Sequence, residues 1–217
     1  MIKDIRSFYG WAIAEEYLAK NPAKTIKDSC TEKRRRPSLT KEEFEKVRLA
    51  CNTSRERALV EFLVSSGCRV SECASIKMDE IDWNDRSVSV IGKGNKERIV
   101  RFDPATAVHI KRYLKEGHQS KYLFGRERFN EENLKNEKPL SRERLEKEIR
   151  DIASRSGIGK KLTPHVLRHT YATFLIEAGM PIQSVQMTMG HASINTTMHY
   201  CHQSVSSIKA DYERYAS

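Results

Sequence analysis

The sequence lacks the features of a membrane protein, of a disulfide-rich secreted domain and of a zinc-binding protein. Its 217 residues include five cysteines, an odd number, and none lies in a C-x-x-C pair or a short Cys/His ligand spacing. No run approaches the ~18 consecutive apolar residues of a membrane span, and Glu61 interrupts the most apolar central run, residues 58–64. The N-terminus has no apolar signal-peptide core. These absences predict a cytosolic protein with reduced thiols.

Acidic residues are outnumbered by basic ones. Lys plus Arg total 39 and Asp plus Glu total 29, which gives a formal net charge of +10. Such a surplus indicates a polyanionic partner, either nucleic acid or an acidic membrane surface, although surplus surface lysines on a soluble protein give the same value. The densest basic run is Lys33, Arg34, Arg35 and Arg36. We interpret it either as a solvated linker or as a segment that contacts DNA.

Hydrophobic spacing predicts a mostly helical protein with one small sheet. The expected helices span residues 2–18, 41–50, 54–66, 70–76, 104–114, 142–156, 165–179, 181–189, 195–199 and 204–215. Alternation around Asn84-Asp85 and residues 92–95 predicts two turns that join three short antiparallel strands. Thr40 begins a capping-box sequence, and Gly67 and Gly157 are expected to end helices.

Two basic clusters carry candidate chemistry. Arg69 follows the glycine that ends one helix and lies at the edge of the expected core, where an arginine needs an anion or a carboxylate. The structural alternative is an ion pair with Glu72. Two glycines of the segment 92–98 present Lys93 or Lys96 at the tip of a hairpin, and this turn is not the strand-to-helix loop of a nucleotide-binding P-loop.

A third cluster begins at Thr163-Pro164, which predicts a helix N-terminus. His165 and Arg168 are three residues apart and share one face of that helix. Free backbone N–H groups favour anions there, so the pair suits a phosphate. The spacing does not match the H-E-x-x-H motif of zinc proteases, and no metal site is expected. Gly190-His191 and Tyr200 follow along the chain.

Together the three clusters resemble the signature of the tyrosine recombinase family, also called the phage integrase or Xer-like family. That signature is an Arg after a glycine turn, a Lys on a β-hairpin, an H-x-x-R box, and a His followed nine residues later by a Tyr. The matching positions are Arg69, Lys93, His165, Arg168, His191 and Tyr200. The resemblance covers residues 39–217. One departure is Cys201, where the family often has Thr.

The resemblance implies an α+β fold, mainly α-helical with a small three-stranded antiparallel sheet. Residues 39–217 are then the catalytic domain. Residues 1–23 resemble the last helix of the core-binding domain of the family, and residues 24–38 form a basic linker. Because most of the core-binding domain is missing, we expect the chain to be a fragment of a longer protein.

The implied chemistry is DNA strand exchange without a cofactor. Tyr200 attacks a DNA phosphate, forms a 3′-phosphotyrosine and releases a 5′-hydroxyl. A phenol with a pKa of ~10 is a poor nucleophile at neutral pH, so a base must take its proton, and the candidate is His165. By resemblance Lys93 protonates the leaving oxygen as general acid, with Lys96 as the alternative.

The remaining signature residues are expected to stabilise charge. Arg69 and Arg168 suit the oxygens of a phosphoryl transition state because a guanidinium is planar and always charged. His191 is expected to donate one more hydrogen bond. Because arginines take over the charge stabilisation that Mg²⁺ supplies elsewhere, neither a metal nor another cofactor is expected.

By the same resemblance the partner is a double-stranded DNA recombination site, with no role for a membrane. A homotetramer on DNA, held through the helix expected over residues 204–215, is implied, and an accessory excision or DNA-bending protein fits the family. The expected location is the cytoplasm, at the nucleoid. Two alternatives stay open, a non-catalytic DNA-binding relative and a type IB topoisomerase.

Overall fold

The computed structural model describes residues 2–24, 26, 38–92, 95, 97–126 and 137–190. The chain divides into two compact units, Met1–Arg35 and Arg36–Ser217. The helices expected over residues 195–199 and 204–215, and the basic run at residues 33–36, lie outside the described residues.

The first unit contains helix α1 (Ile2–Ala14), which is shorter than the predicted helix over residues 2–18. Glu16 adopts a left-handed backbone conformation with φ of 60°. The amide of Glu16 bonds the carbonyl of Ile13 at 3.0 Å, and the amide of Tyr17 bonds that of Ala12 at 2.9 Å. Glycine usually makes this closing pattern of a helix C-terminus, and because no glycine stands here the early end could not be predicted.

The second unit contains seven helices and one sheet within the described residues. The helices are α2 (Lys41–Leu49), α3 (Ser54–Ser66), α4 (Val70–Ser75), α5 (Pro104–Lys115), α6 (Arg142–Ser156), α7 (Pro164–Glu177) and α8 (Ile182–Met189). The strands are β1 (Ile81–Asp82), β2 (Ser87–Ile91) and β3 (Glu97–Arg101), paired antiparallel in the order β1-β2-β3. A short 3-10 helix, Met78–Glu80, precedes β1. The predicted fold class is confirmed.

Helix ends follow the predicted capping residues. The Thr40 side chain accepts from the Glu43 amide at 3.2 Å, and the Glu43 carboxylate accepts from the Thr40 amide at 2.8 Å, which completes the capping box. Gly67 and Gly157 end α3 and α6 in the left-handed conformation. Thr163 caps α7. Each cap satisfies backbone groups that a helix terminus leaves unpaired.

Helix α3 forms the centre of the core and packs against α5 and α7. Leu59, Phe62 and Leu63 are completely buried. Glu61, which interrupts the apolar run, is also buried, and it is neutralised by Arg57 at 2.7 Å and Arg48 at 2.8 Å. The C-terminal end of this buried central helix carries the first part of the candidate site. None of the helices within the described ranges is long and apolar enough to cross a bilayer.

Candidate active site

The site starts at the turn that follows α3. Gly67 has a φ of 61°, and a Cβ atom placed there would lie 2.2 Å from Cδ1 of Tyr171. Tyr171 is partly buried, and its ring lies against this turn. A residue with a side chain would therefore meet both backbone strain and a collision. The tight turn places Arg69 at the N-cap position of α4.

Arg69 is held by Glu72, one turn further along α4. The Glu72 carboxylate accepts from the backbone amide of Arg69 at 2.7 Å and from its Nη1 at 2.8 Å. The ion pair considered as the structural alternative is therefore present. The Arg69 side chain nevertheless stays 32% exposed and lines a cleft, so the ion pair orients Arg69 toward solvent.

A second arginine, which sequence reasoning missed, approaches Glu72 from the sheet. Nη1 and Nη2 of Arg98 each donate to one of the two Glu72 carboxylate oxygens, both at 2.7 Å. Arg98 pairs with Val90 across β2 and β3 and has the same strand parity as the buried Val100. An arginine on the inward-facing side of a strand needs a buried carboxylate, and this parity is the signal that could have identified it.

The Glu72 carboxylate is strongly held in its charged form. Burial by itself raises the pKa of Glu72, but the hydrogen bonds from Arg98 and Arg69 outweigh it and lower that pKa to about 2. Glu72 is therefore ionised throughout the neutral range and supplies a fixed negative charge between two guanidinium groups.

Arg168 is the most buried arginine of the site. It lies on α7, is 5% exposed, and donates to the backbone carbonyls of Gly67 and Met189. Burial, together with the positive charges of Arg69 and Arg98, lowers the pKa of Arg168 to about 10. Arg168 thus joins the ends of α3 and α8 and stays charged at neutral pH. A desolvated cation beside two others creates a strong local preference for an anion.

Arg69 and Arg168 meet His165 in one cleft of about 70 Å³. His165 is solvent-exposed in the first turn of α7, next to the capped helix N-terminus. The cleft is lined by Arg69, Val70, Ser71, Arg142, Glu146, Pro164, His165 and Arg168. Three of the six predicted catalytic residues are thereby brought together at a site that favours negative charge.

Comparisons with known proteins bear on the family of this chain. The model of the phage integrase family matches residues 37–207. The chain belongs to the phage integrase family. A tyrosine recombinase XerD from Staphylococcus saprophyticus is 36% identical over 220 residues, which cover 99% of this chain and 74% of that protein. The family predicted from the sequence motifs is confirmed.

Two solved structures of recombinases resemble the chain as well. The crystal structure of XerA recombinase is 27% identical with a TM-score of 0.69, covering 100% of this chain and 74% of that one. The XerH site-specific recombinase bound to difH substrate, in a pre-cleavage complex, is 26% identical with a TM-score of 0.65, covering 84% of this chain and 55% of that one. The predicted class, a tyrosine-type site-specific recombinase that acts on DNA, is confirmed.

The other predicted site residues lie outside the described residues. These are Lys93 with its alternative Lys96, His191, Tyr200, and the basic run Lys33, Arg34, Arg35 and Arg36. The described chain extends up to two of these positions, Lys93 and His191. Ile91 pairs with Glu97 at the end of the β2–β3 ladder, and Gly190 ends α8 with a φ of 61° directly before His191.

Proposed function

We propose that the chain cleaves and rejoins DNA strands through a 3′-phosphotyrosine, with Tyr200 as the nucleophile. The observation that carries this proposal is the convergence of Arg69, Arg168 and His165 on one cleft. Arg69 and Arg98 bond the Glu72 carboxylate, and the charge of Arg168 also interacts with it. The carboxylate that lines the cleft, Glu146, is paired with Arg142. The surplus of positive charge supports a phosphate as the occupant of the cleft.

Arg69 and Arg168 then stabilise the phosphoryl transition state. Both guanidinium groups are planar donors that are held in place before the reaction. Glu72 positions Arg69, and two backbone carbonyls position Arg168. A preorganised donor in a partly desolvated site stabilises developing charge more effectively than a flexible one in water. His191, which follows the helix end that Arg168 holds, adds a further donor to the same oxygens.

Strand cleavage couples one exchange of bonds at phosphorus to two proton transfers. The Tyr200 Oη–phosphorus bond forms while the phosphorus–5′-oxygen bond breaks, and His165 takes the phenol proton. Lys93, or Lys96 as its alternative, gives a proton to the departing 5′-oxygen. The phosphotyrosine conserves the energy of the broken ester, and attack by another 5′-hydroxyl reverses the step. No external energy source is required.

The proposal also covers the partner of the chain, which is DNA, and the assembly that forms on it. The XerH recombinase is bound to difH substrate in its solved complex, which supports double-stranded DNA as the partner of this chain. The net charge of +10 supplies the non-specific component of that binding. We extend the proposal to a homotetramer on DNA through residues 204–215, to an accessory excision or DNA-bending protein, and to action on the nucleoid in the cytoplasm.

The proposed domain division assigns residues 1–23 to the end of a core-binding domain, 24–38 to a basic linker and 39–217 to the catalytic domain. The separation of the chain into the units Met1–Arg35 and Arg36–Ser217 supports a division within the linker. The capped start of α2 at Thr40 supports a catalytic domain that begins near residue 39.

A nicked duplex that carries the recombination site, identified by sequencing the DNA that flanks the gene, tests the function. Cleavage of such a suicide substrate leaves the protein covalently attached. We expect wild type to form this adduct, Tyr200→Phe to bind the duplex without forming it, and the matched control Tyr122→Phe, at a buried tyrosine, to form it. Binding by wild type without any adduct contradicts the proposal and favours a non-catalytic relative. Relaxation of a supercoiled plasmid that lacks the site favours a topoisomerase.

A further inference from the structure

We propose that Arg98 is a positioning residue of the active site: from β3 it holds the Glu72 carboxylate in the orientation that fixes Arg69. The proposal rests on the proposed function, in which Arg69 binds the scissile phosphate. It assigns a role to a strand residue that takes no part in the catalytic signature.

The hydrogen bonds divide the arginines into two kinds. Both Nη atoms of Arg98 are directed at Glu72, and the Arg98 side chain is 13% exposed. Its Nε is buried without a hydrogen-bond partner among the described residues. Arg69 directs Nη1 at Glu72, and its side chain is 32% exposed. Arg98 is therefore committed to the carboxylate, whereas Arg69 remains open to the cleft.

Glu72 needs this commitment because it is an almost fully buried carboxylate with a 3% exposed side chain. The ionisable groups around it are Arg69, Cys68, Cys73, Arg98 and Arg168. Arg98 alone among the described residues offers Glu72 a bidentate pair of side-chain bonds. Without that pair, burial favours the protonated acid, and a protonated Glu72 holds the Arg69 guanidinium less firmly.

The stem of Arg98 makes a second contact that supports the proposal. A Cβ atom at Gly190 would lie 2.9 Å from Arg98 Cδ and 3.2 Å from its Nε. The backbone that leads into His191 therefore passes directly against Arg98. One side chain thus links the strand that follows Lys93, the carboxylate that orients Arg69 and the helix end before His191.

The test compares three single variants and one double variant, Arg98→Met with Glu72→Gln, on the suicide duplex from about pH 5 to about pH 8. Arg98→Met keeps the stem against Gly190 and removes the ion pair. Arg101→Met is the matched control, because Arg101 lies on the same strand and pairs with Asp85 on an exposed surface. Arg98→Lys keeps the charge but cannot bond both oxygens at once. Duplex binding and thermal unfolding are measured for each.

We expect Arg98→Met to bind the duplex as wild type does and to cleave it about 100-fold more slowly, since a displaced phosphate-binding group costs about that factor. As the pH is lowered, the cleavage rate of Arg98→Met begins to fall at a higher pH than the rate of wild type, because Glu72 becomes protonated more readily without Arg98. Combining Arg98→Met with Glu72→Gln removes this added pH dependence while the rate stays low. Arg98→Lys shows an intermediate rate and an intermediate pH dependence, and Arg101→Met behaves as wild type.

Unaltered cleavage and pH dependence in Arg98→Met, with wild type active, overturns the positioning role and leaves the proposed function intact. A slow variant with the pH dependence of wild type also overturns it, because a purely structural role predicts that result. If Arg98→Met does not fold, a wild-type pH dependence in Arg98→Lys overturns the proposal. Failure of wild type itself to form an adduct overturns the proposed function, and the positioning role with it.

Discussion

Arg168 on α7 donates to the backbone carbonyl of Gly67, at the end of α3, across 101 residues of sequence. Its other terminal nitrogen donates to the carbonyl of Met189 at the end of α8. The arginine that we propose to stabilise the transition state is therefore also the side chain that joins three helices. Arginine suits both tasks because its fork offers several donors in fixed directions, whereas an ammonium group does not.

Arg168→Lys separates charge from geometry. We expect cleavage to fall at least about 100-fold while duplex binding changes little, since the lysine cannot direct donors at the carbonyls and at a phosphate together. The freed carbonyls lower the free energy of unfolding by about 1–3 kcal/mol. Single-turnover cleavage and urea unfolding measure the two effects. Arg150→Lys, at an exposed position on α6, is the control. Wild-type cleavage in Arg168→Lys contradicts the dual role.

Gly67→Ala tests the turn that presents Arg69. With φ at 61° and a collision at 2.2 Å with the Tyr171 ring, we expect the free energy of unfolding to fall by at least about 2 kcal/mol. Gly159→Ala is the matched control, because a Cβ atom there meets nothing within 4 Å. Thermal or urea unfolding distinguishes them. Equal stability of the two variants means that the turn tolerates a side chain.

The pH dependence of stability tests the charge on Glu72. Its pKa is lowered in the folded protein to about 2 from an ordinary 4.5, so its stabilising contribution is present above pH 4.5 and disappears as the pH falls toward 2. That shift corresponds to about 3 kcal/mol at neutral pH. Glu72→Gln is therefore expected to be less stable than wild type at pH 7, with a difference that narrows in acid. Glu80→Gln, in an exposed pair with Lys77, is the control. A difference that does not depend on pH contradicts the account.

Salt dependence decides between the two interpretations of the basic run. Replacement of Lys33, Arg34, Arg35 and Arg36 by alanine removes four positive charges. If they contact phosphates, the slope of log binding constant against log salt becomes shallower by about 3 to 4. A titration of duplex binding over several salt concentrations measures it. An unchanged slope identifies the segment as a solvated linker.

Local sequence signals predicted much of this structure. Thr40, Thr163, Gly67 and Gly157 mark helix ends because capping depends on residues within a few positions of each other. The placement of His165 and Arg168 on one helix face followed from their spacing. These features required no knowledge of the tertiary fold.

Long-range pairs could not be predicted in the same way. The bonds between Arg98 and Glu72 span 26 residues and depend on how the sheet packs on α4. The Arg168 contacts with Gly67 and Met189 depend on the meeting of three helices. The early end of α1 rests on a left-handed Glu16, a conformation that sequence patterns assign to glycine. In each case tertiary or unusual backbone geometry, rather than local propensity, decided the outcome.

Mapping the covalent adduct tests the assignment of Tyr200 as the nucleophile most directly. After cleavage of the suicide duplex, nuclease and trypsin leave a nucleotide-bearing peptide for fragmentation by mass spectrometry. The tryptic peptide of residues 169–209 contains both Tyr171 and Tyr200, so fragment ions on either side of each tyrosine locate the modification. We predict a nucleotide attached to Tyr200 through a phosphodiester. A nucleotide on Tyr171 or on any other residue contradicts the account.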